Sequence, residues 1–186
     1  MHTPLCPKEP APSDQTLLVL LAQAGDRGAL EQLLRDTYAP LRRYISRLAG
    51  ADLADDILQE TSIQIFRKLR FLNEPAVFRS WTLRIASRIA FSHLKRARRW
   101  QPLDAAPPEP ATPNPNPGEL PDAAFLSLLE LVSPASRAVL LLHYQHDLSL
   151  EETAAILEIP IGTAKSRLHY GVATLRKNLI SERKPA

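Results

Sequence analysis

Residues 148–168 read LSLEETAAILEIPIGTAKSRL. Ser149, with Glu152 three positions on, has the spacing of a capping box, in which each side chain satisfies a backbone N–H at a helix start. The helix this opens is short, because Glu158, Ile159 and Pro160 interrupt it after Leu157. A second helix is predicted from Ile161 to about Leu179, with Ile161, Ala164, Leu168, Val172, Leu175 and Leu179 on one buried side. Two helices at a tight turn, the second one longer, make a helix-turn-helix candidate. The opposite side displays Thr163, Ser166, Tyr170 and Lys177, flanked by Lys165 and Arg167; His169 lies close to this partner-facing side, where it is either a contact or neutral filler. Hydroxyls and bases in the first turns of a second helix suit a DNA major groove, where they meet base edges and grip phosphates.

Upstream, Ser133 and Pro134 supply a cap and a first helical residue for a helix to about His146. Before that lies a change of composition. Eight prolines fall between Pro102 and Pro121, and residues 101–124 carry four acids and no base. Such a stretch joins no helix or ladder and is expected to be extended and solvated. The chain therefore divides into a disordered leader (1–14), a first helical domain (15–100), a flexible acidic Pro-rich linker (101–124), a helix-turn-helix domain (125–180) and a tail (181–186).

The basicity belongs to the first domain, where fifteen Lys or Arg stand against eight Asp or Glu over residues 17–100. Leu17, Leu18, Leu20 and Leu21 start a short helix ending near Gly25, and Asp26 caps a helix over about 27–48. A helix over about 53–71 aligns Leu58, Thr61, Ile65 and Leu69. Asn73 as cap and Pro75 as an early helical residue open a long helix to about Arg99, packed through Val77, Trp81, Ile85 and Ile89. Beside that stripe run Arg84, Arg88, Lys95 and Arg99, joined by Arg96 and Arg98, with no acid among them. A dipole-driven preference for bases explains the last turn but not Arg84 or Arg88, so a phosphate-facing surface is the better account. No period-two pattern competes anywhere, and the fold is expected to be all-α.

Other classes find little support. Cys6 is the only cysteine of the 186 residues, so there is no internal disulfide and no cysteine metal cluster, and a reducing cytoplasm fits best. The histidines are scattered, no glycine-rich phosphate loop exists, and neither a secretory signal nor a membrane span is expected. No metal, cofactor or catalytic residue is expected. Asp55, Asp56 and Glu60 put carboxylates on nearby turns of one helix beside Gln59 and Ile63, a mixed face suited to a protein partner.

Three segments carry a family resemblance: Asp56 to Thr61 with Phe66; Phe78 to Ala86 leading to His93, Leu94, Lys95 and Arg96; and Leu148 to Ala154 followed by Ile159 to Leu168. In this order, around an acidic linker, they resemble bacterial sigma-70 family sigma factors of the extracytoplasmic-function (ECF) group. The resemblance implies an alternative sigma factor that binds core RNA polymerase, delivers it to a two-part promoter and assists melting. It assigns Asp55, Asp56, Gln59, Glu60 and Ile63 to the clamp of the large polymerase subunit. The loop Phe71 to Glu74 and the following helix become the minus-ten element, with Asn73, Arg79, Trp81, Arg84, Arg88, His93, Lys95, Arg96 and Arg99 as contacts to duplex and melted strand. Thr163, Lys165, Ser166, Arg167, His169 and Tyr170 become the minus-thirty-five contacts, and the linker the segment threaded toward the RNA exit path. An anti-sigma protein, often membrane-associated in the group, is implied as a partner of a monomeric, cytoplasmic protein. Ser62, Arg88, Ser92, Glu158 and Tyr170-Gly171 depart from the family pattern, which leaves the promoter sequence open. A stand-alone helix-turn-helix regulator would instead bind duplex DNA unaided, and a protein-binding module would not need the Arg84 to Arg99 stripe.

Overall fold

The computed structural model describes residues 12–100 and 127–182, with side chains over 14–97 and 127–179. The expected linker (101–124), residues 1–11 of the expected leader with Cys6, and residues 183–186 lie outside the described residues. Among the described residues every regular element is helical. The first half comprises α1 (Pro12–Gln23), α2 (Arg27–Ala49), α3 (Ala51–Lys68) and α4 (Phe78–Trp100), with 3₁₀ turns Leu69–Phe71 and Pro75–Val77 between α3 and α4. The second half comprises α5 (Pro134–Leu140), prolonged by a π turn over Leu141–Gln145, then α6 (Leu150–Leu157) and α7 (Ile161–Glu182).

Local chemistry sets most boundaries. Gly25 takes φ +97°, which ends α1, and the Asp26 carboxylate accepts the Ala29 N–H at 3.0 Å to start α2. Pro12 suits a first helical turn, so α1 begins inside the expected leader, whose residues 12–14 are helical. Gly50, at φ +94°, separates α2 from α3. Pro40 sits inside α2 but on its exposed side, where the carbonyl it leaves without a donor can be hydrated.

One cap differs from expectation. Asn73 does not cap α4: it lies in the exposed loop, Pro75 opens a 3₁₀ turn, and α4 proper begins at Phe78. The buried stripe shifts with it. Val77 is 37% exposed and Trp81 only partly buried, whereas Phe78, Leu83, Ile85, Ala86, Ile89 and Ala90 are buried. α4 is buried on two sides because both halves of the molecule lean on it.

In the second half Ser133 accepts the Ser136 N–H at 3.3 Å and Pro134 takes the first position of α5. The capping box forms, the Ser149 N–H donating to Glu152 Oε2 at 2.8 Å and the Glu152 N–H to Ser149 Oγ at 3.1 Å. The backbone and hydroxyl of Ser149 together hold the Glu152 carboxyl below the usual carboxylate range. Glu158 ends α6 in the left-handed region at φ 54°, where glycine would be unstrained. Gly171 lets α7 press on α5: a Cβ there would lie 2.8 Å from Leu140 Cδ1.

The halves pack against each other, α6 on α4 and α5 on α2. Arg137 reaches from α5 with its guanidinium donating to Leu48 O at 3.2 Å, Glu130 O at 2.9 Å and Val132 O at 3.0 Å, so one side chain ties the end of α2 to the turn before α5. Arg47 donates to Gln145 Oε1 at 2.9 Å and Arg79 to the His146 carbonyl at 3.2 Å. The His146 ring stands edge-on to Tyr44, centroids 5.5 Å apart. Ser87 donates its hydroxyl proton to Leu83 O at 2.7 Å, so the Tyr44 hydroxyl donates to Ser87 Oγ, also at 2.7 Å.

Candidate functional site

Three exposed surfaces carry the residues of interest. On α7, Lys165, Ser166, His169 and Tyr170 are all exposed and, at spacings of one, four and five, share one face. The Ser166 hydroxyl donates to Thr163 O at 3.0 Å, and the rings of His169 and Tyr170 meet edge-on at 6.1 Å. Thr163 and Arg167 are half-buried at its margins. His169 thus lies on the open face, the side near which the sequence placed it. The packed side narrows: Ala164 is buried, Leu168, Val172 and Leu175 are partly buried, and Ile161 and Leu179, at 39% and 47% exposure, overhang the body that α7 packs on.

The second surface is α4 with the loop before it. Arg84, Arg88, Lys95 and Arg96 are exposed, and the helix contains no acid, so the row presents uncompensated positive charge along its own length. Arg99 lies on α4, but its side chain falls outside the described residues, as does that of Arg98. Glu158 of the second half lines a cleft of about 150 Å³ together with Arg84 and Arg88, so an acid of the turn between α6 and α7 approaches the row.

Three expected minus-ten contacts are engaged elsewhere. His93 bonds Glu60 Oε2 at 3.0 Å across α3 and α4, which places it between the basic and acidic surfaces and joins two residues assigned to different tasks. Arg79 is exposed but engaged with the His146 carbonyl of the other half. Trp81 packs against Phe78 at 6.0 Å, a partly buried core neighbour instead of an open contact. Before α4, Phe71, Asn73 and Glu74 are exposed while Leu72 is buried, and the Arg70 guanidinium lies 4.5 Å from the centroid of the Phe71 ring. Sequence reasoning did not single out Arg70; a base directly before an aromatic in a loop rich in outward residues was the available signal.

The third surface is the outer side of α3, where Asp55, Asp56, Gln59, Glu60 and Ile63 are all exposed. It is larger than expected. Tyr38 and Arg42 of α2 line a groove with Asp55, Leu58, Gln59 and Ser62, and Arg42 Nε donates to Asp55 Oδ1 at 3.3 Å. Both side chains are solvent-accessible, so this ion pair adds little to stability and leaves both groups open to another partner. Tyr38 and Arg42, four apart on one helix, were readable as a polar-aromatic face only once α2 and α3 were known to be neighbours.

Among the described residues no group of His, Cys, Asp or Glu is arranged to hold a metal ion, and no helix is long and apolar enough to cross a membrane. Residues 30–100 match the family model of sigma-70 region 2, and residues 122–175 that of sigma-70 region 4. The ECF RNA polymerase sigma factor SigE of Mycolicibacterium smegmatis is 31% identical over 182 residues, covering 90% of this chain and 70% of that protein. SigL of Mycobacterium tuberculosis, also an ECF sigma factor, is 30% identical over 164 residues, covering 85% and 93%. The fold is shared with CnrH, solved in complex with the cytosolic domain of CnrY, at a TM-score of 0.66 and 21% identity over 91% of this chain and 99% of that one. It is shared too with the sigma factor RpoE of Bartonella quintana, solved with the anti-sigma factor NepR, at a TM-score of 0.60 and 22% identity over 92% and 98%. A helix-turn-helix behind a basic helical bundle, matched across both halves, places the chain among the ECF RNA polymerase sigma factors: it is an alternative sigma factor that directs promoter-specific transcription initiation.

Proposed function

We propose that the three surfaces divide the work of initiation, by binding alone and without a reaction of the protein's own. The groove lined by Tyr38, Arg42, Asp55 and Gln59, with Asp56, Glu60 and Ile63 exposed on the same helix α3, takes the clamp of the large polymerase subunit. The acid-free row Arg84, Arg88, Lys95 and Arg96 holds the phosphates of the minus-ten region. The exposed loop Phe71 to Glu74 receives an unpaired base, for which Phe71 and the guanidinium of Arg70 offer flat faces. Lys165, Ser166, His169 and Tyr170 read the minus-thirty-five element in the major groove. The domain limits 15–100 and 125–180, a monomeric state in the cytoplasm and control by an anti-sigma protein belong to the same reading; the RpoE–NepR complex is the solved precedent for such a partner.

The observation that carries the reading is the exposed basic row of α4 in a molecule that also exposes the hydroxyl and base face of α7. Run-off transcription with purified core polymerase, on upstream regions of the source genome, tests it. Transcripts dependent on the protein and sharing two spaced elements are expected. Replacing Arg84 and Arg88 with Gln is expected to leave core binding intact, to reduce promoter opening at least about tenfold, and to flatten the salt dependence of binding by about one phosphate per charge removed. Lys165→Ala is expected to weaken recognition of the upstream element only. Promoter opening by the doubly neutralised protein at the native rate would overturn the assignment of α4.

A further inference from the structure

The loop between α3 and α4 is held from outside itself, by α1. Gln23, the last residue of that helix, is half-buried, and its Nε2 donates to Leu69 O at 2.9 Å and to Leu72 O at 2.8 Å. These carbonyls lie where the α3 ladder runs out and further helical donors are lacking. The Leu72 N–H closes the 3₁₀ turn on Leu69 O at 3.0 Å, but Leu72 O has passed beyond the turn. Both partners are acceptors, so the amide nitrogen and not the amide oxygen must face them, and its two hydrogens match two carbonyls. The Leu72 side chain is buried at 9% exposure, which gives the loop an apolar anchor at the same residue whose carbonyl Gln23 clamps. With Leu72 fixed on both counts, its neighbours Phe71, Asn73 and Glu74 are exposed. α1 also packs against the Pro75–Val77 turn that follows, so it braces the loop on both sides.

We propose that Gln23 is a positioning residue for capture of the melted strand. Its carboxamide fixes the path of the Phe71 to Glu74 loop, and α1 is thereby coupled to promoter reading although it need not touch DNA. This rests on the assignment of that loop to the unpaired base. A loop that must be ordered at the moment of binding lowers affinity by the cost of ordering it, and a preformed one does not.

The test uses the full-length protein bound to core polymerase and a fork-junction DNA whose non-template strand is unpaired through the minus-ten region. Gln23→Met preserves length and removes both donors; Gln23→Lys preserves donors on a side chain that reaches as far; Asn73→Ala and Phe71→Ala report on the loop itself. Gln23→Met is expected to weaken fork-junction binding by about 5- to 30-fold, the effect of two ordinary hydrogen bonds. Core affinity and binding to duplex carrying only the upstream element are expected to stay at the native level, and Gln23→Lys to recover most of the loss. Native fork-junction affinity in Gln23→Met, with a loss in the loop variants, would overturn the positioning role and keep the loop's task. No loss in Gln23→Met or in either loop variant would overturn the task of the loop as well. Equal losses of fork-junction and core binding in Gln23→Met, or failure of Gln23→Lys to recover, would show that Gln23 only fills the fold.

Discussion

Single side chains in the second half are not all at ease, and Thr153 is the clearest case. It is fully buried on α6, and its hydroxyl has no hydrogen-bond partner. A buried hydroxyl without a partner costs about 1–3 kcal/mol of desolvation, and valine has nearly the same shape without that cost. Thr153→Val is therefore expected to raise the unfolding free energy by about 1 kcal/mol, read as a higher urea midpoint with an unchanged slope. Thr61, on the buried side of α3, shows the contrast: its hydroxyl donates to Ile57 O at 2.7 Å, so valine there would strand no donor but would lose a made bond. An unchanged or lower midpoint for Thr153→Val would mean that the hydroxyl finds a partner in solution.

Between helices, close approach is decided by what is missing. Gly162 has nothing within 4 Å of a built Cβ, whereas at Gly171 a Cβ would stand 2.8 Å from Leu140 Cδ1 and 3.1 Å from its Cγ. Leu140 is itself 4% exposed and has little room to turn away. Gly171→Val is expected to destabilise the protein by about 1–3 kcal/mol through overpacking, while Gly162→Val is not; paired denaturation curves separate the two. This scale also shows what the sequence could and could not reveal. Helices opened by Asp26, Ser133 and Ser149 were legible because a cap is a local device, complete within four residues. The Asn73 cap failed because Pro75 joined a 3₁₀ turn, a choice made by packing against α1 and not by the residues alone. The π turn after Leu140 had no local signal. At the site, the face of α7, His169 included, was legible from periodicity, while the His93–Glu60 pair and the groove of Tyr38 and Arg42 depend on which helices become neighbours. Periodicity orients a helix but does not name its partner.

The two halves meet at a histidine surrounded by positive charge. His146 is buried at 4% exposure against Tyr44; Arg43 and Arg47 of α2 and Arg79 of α4 face it, and only Asp147 beside it offers compensation. Burial first, then Arg79, push its pKa down from 6.5 to about 4, with Asp147 opposing and Arg43 and Arg47 adding to the fall. The sign follows from proton counting. Between pH 4 and 6.5 the separated or unfolded chain binds the extra proton and the docked one does not, so docking is fully supported above about pH 7 and weakens as pH falls. By pH 5 the loss reaches up to about 2 kcal/mol, comparable to the worth of the single-residue contacts around it. Donor and acceptor dyes at the exposed positions of Arg67 and Arg176, in a Cys6→Ser background, would follow the separation of the halves. The native chain is expected to open as pH is lowered from 7 to 5, and His146→Gln, which cannot take up a proton, to show a flat profile over the same range. Opening of both proteins in parallel would assign the transition to other groups and remove His146 from the account. Because α6 rests on α4 and Glu158 approaches Arg84 and Arg88 only while the halves are docked, the same titration should expose the basic row more fully. Minus-ten fork-junction binding by the free protein is then expected to rise more steeply from pH 7 to 5 in the native chain than in His146→Gln; the general gain of positive charge at low pH strengthens DNA binding in both, so only the excess in the native chain reports opening.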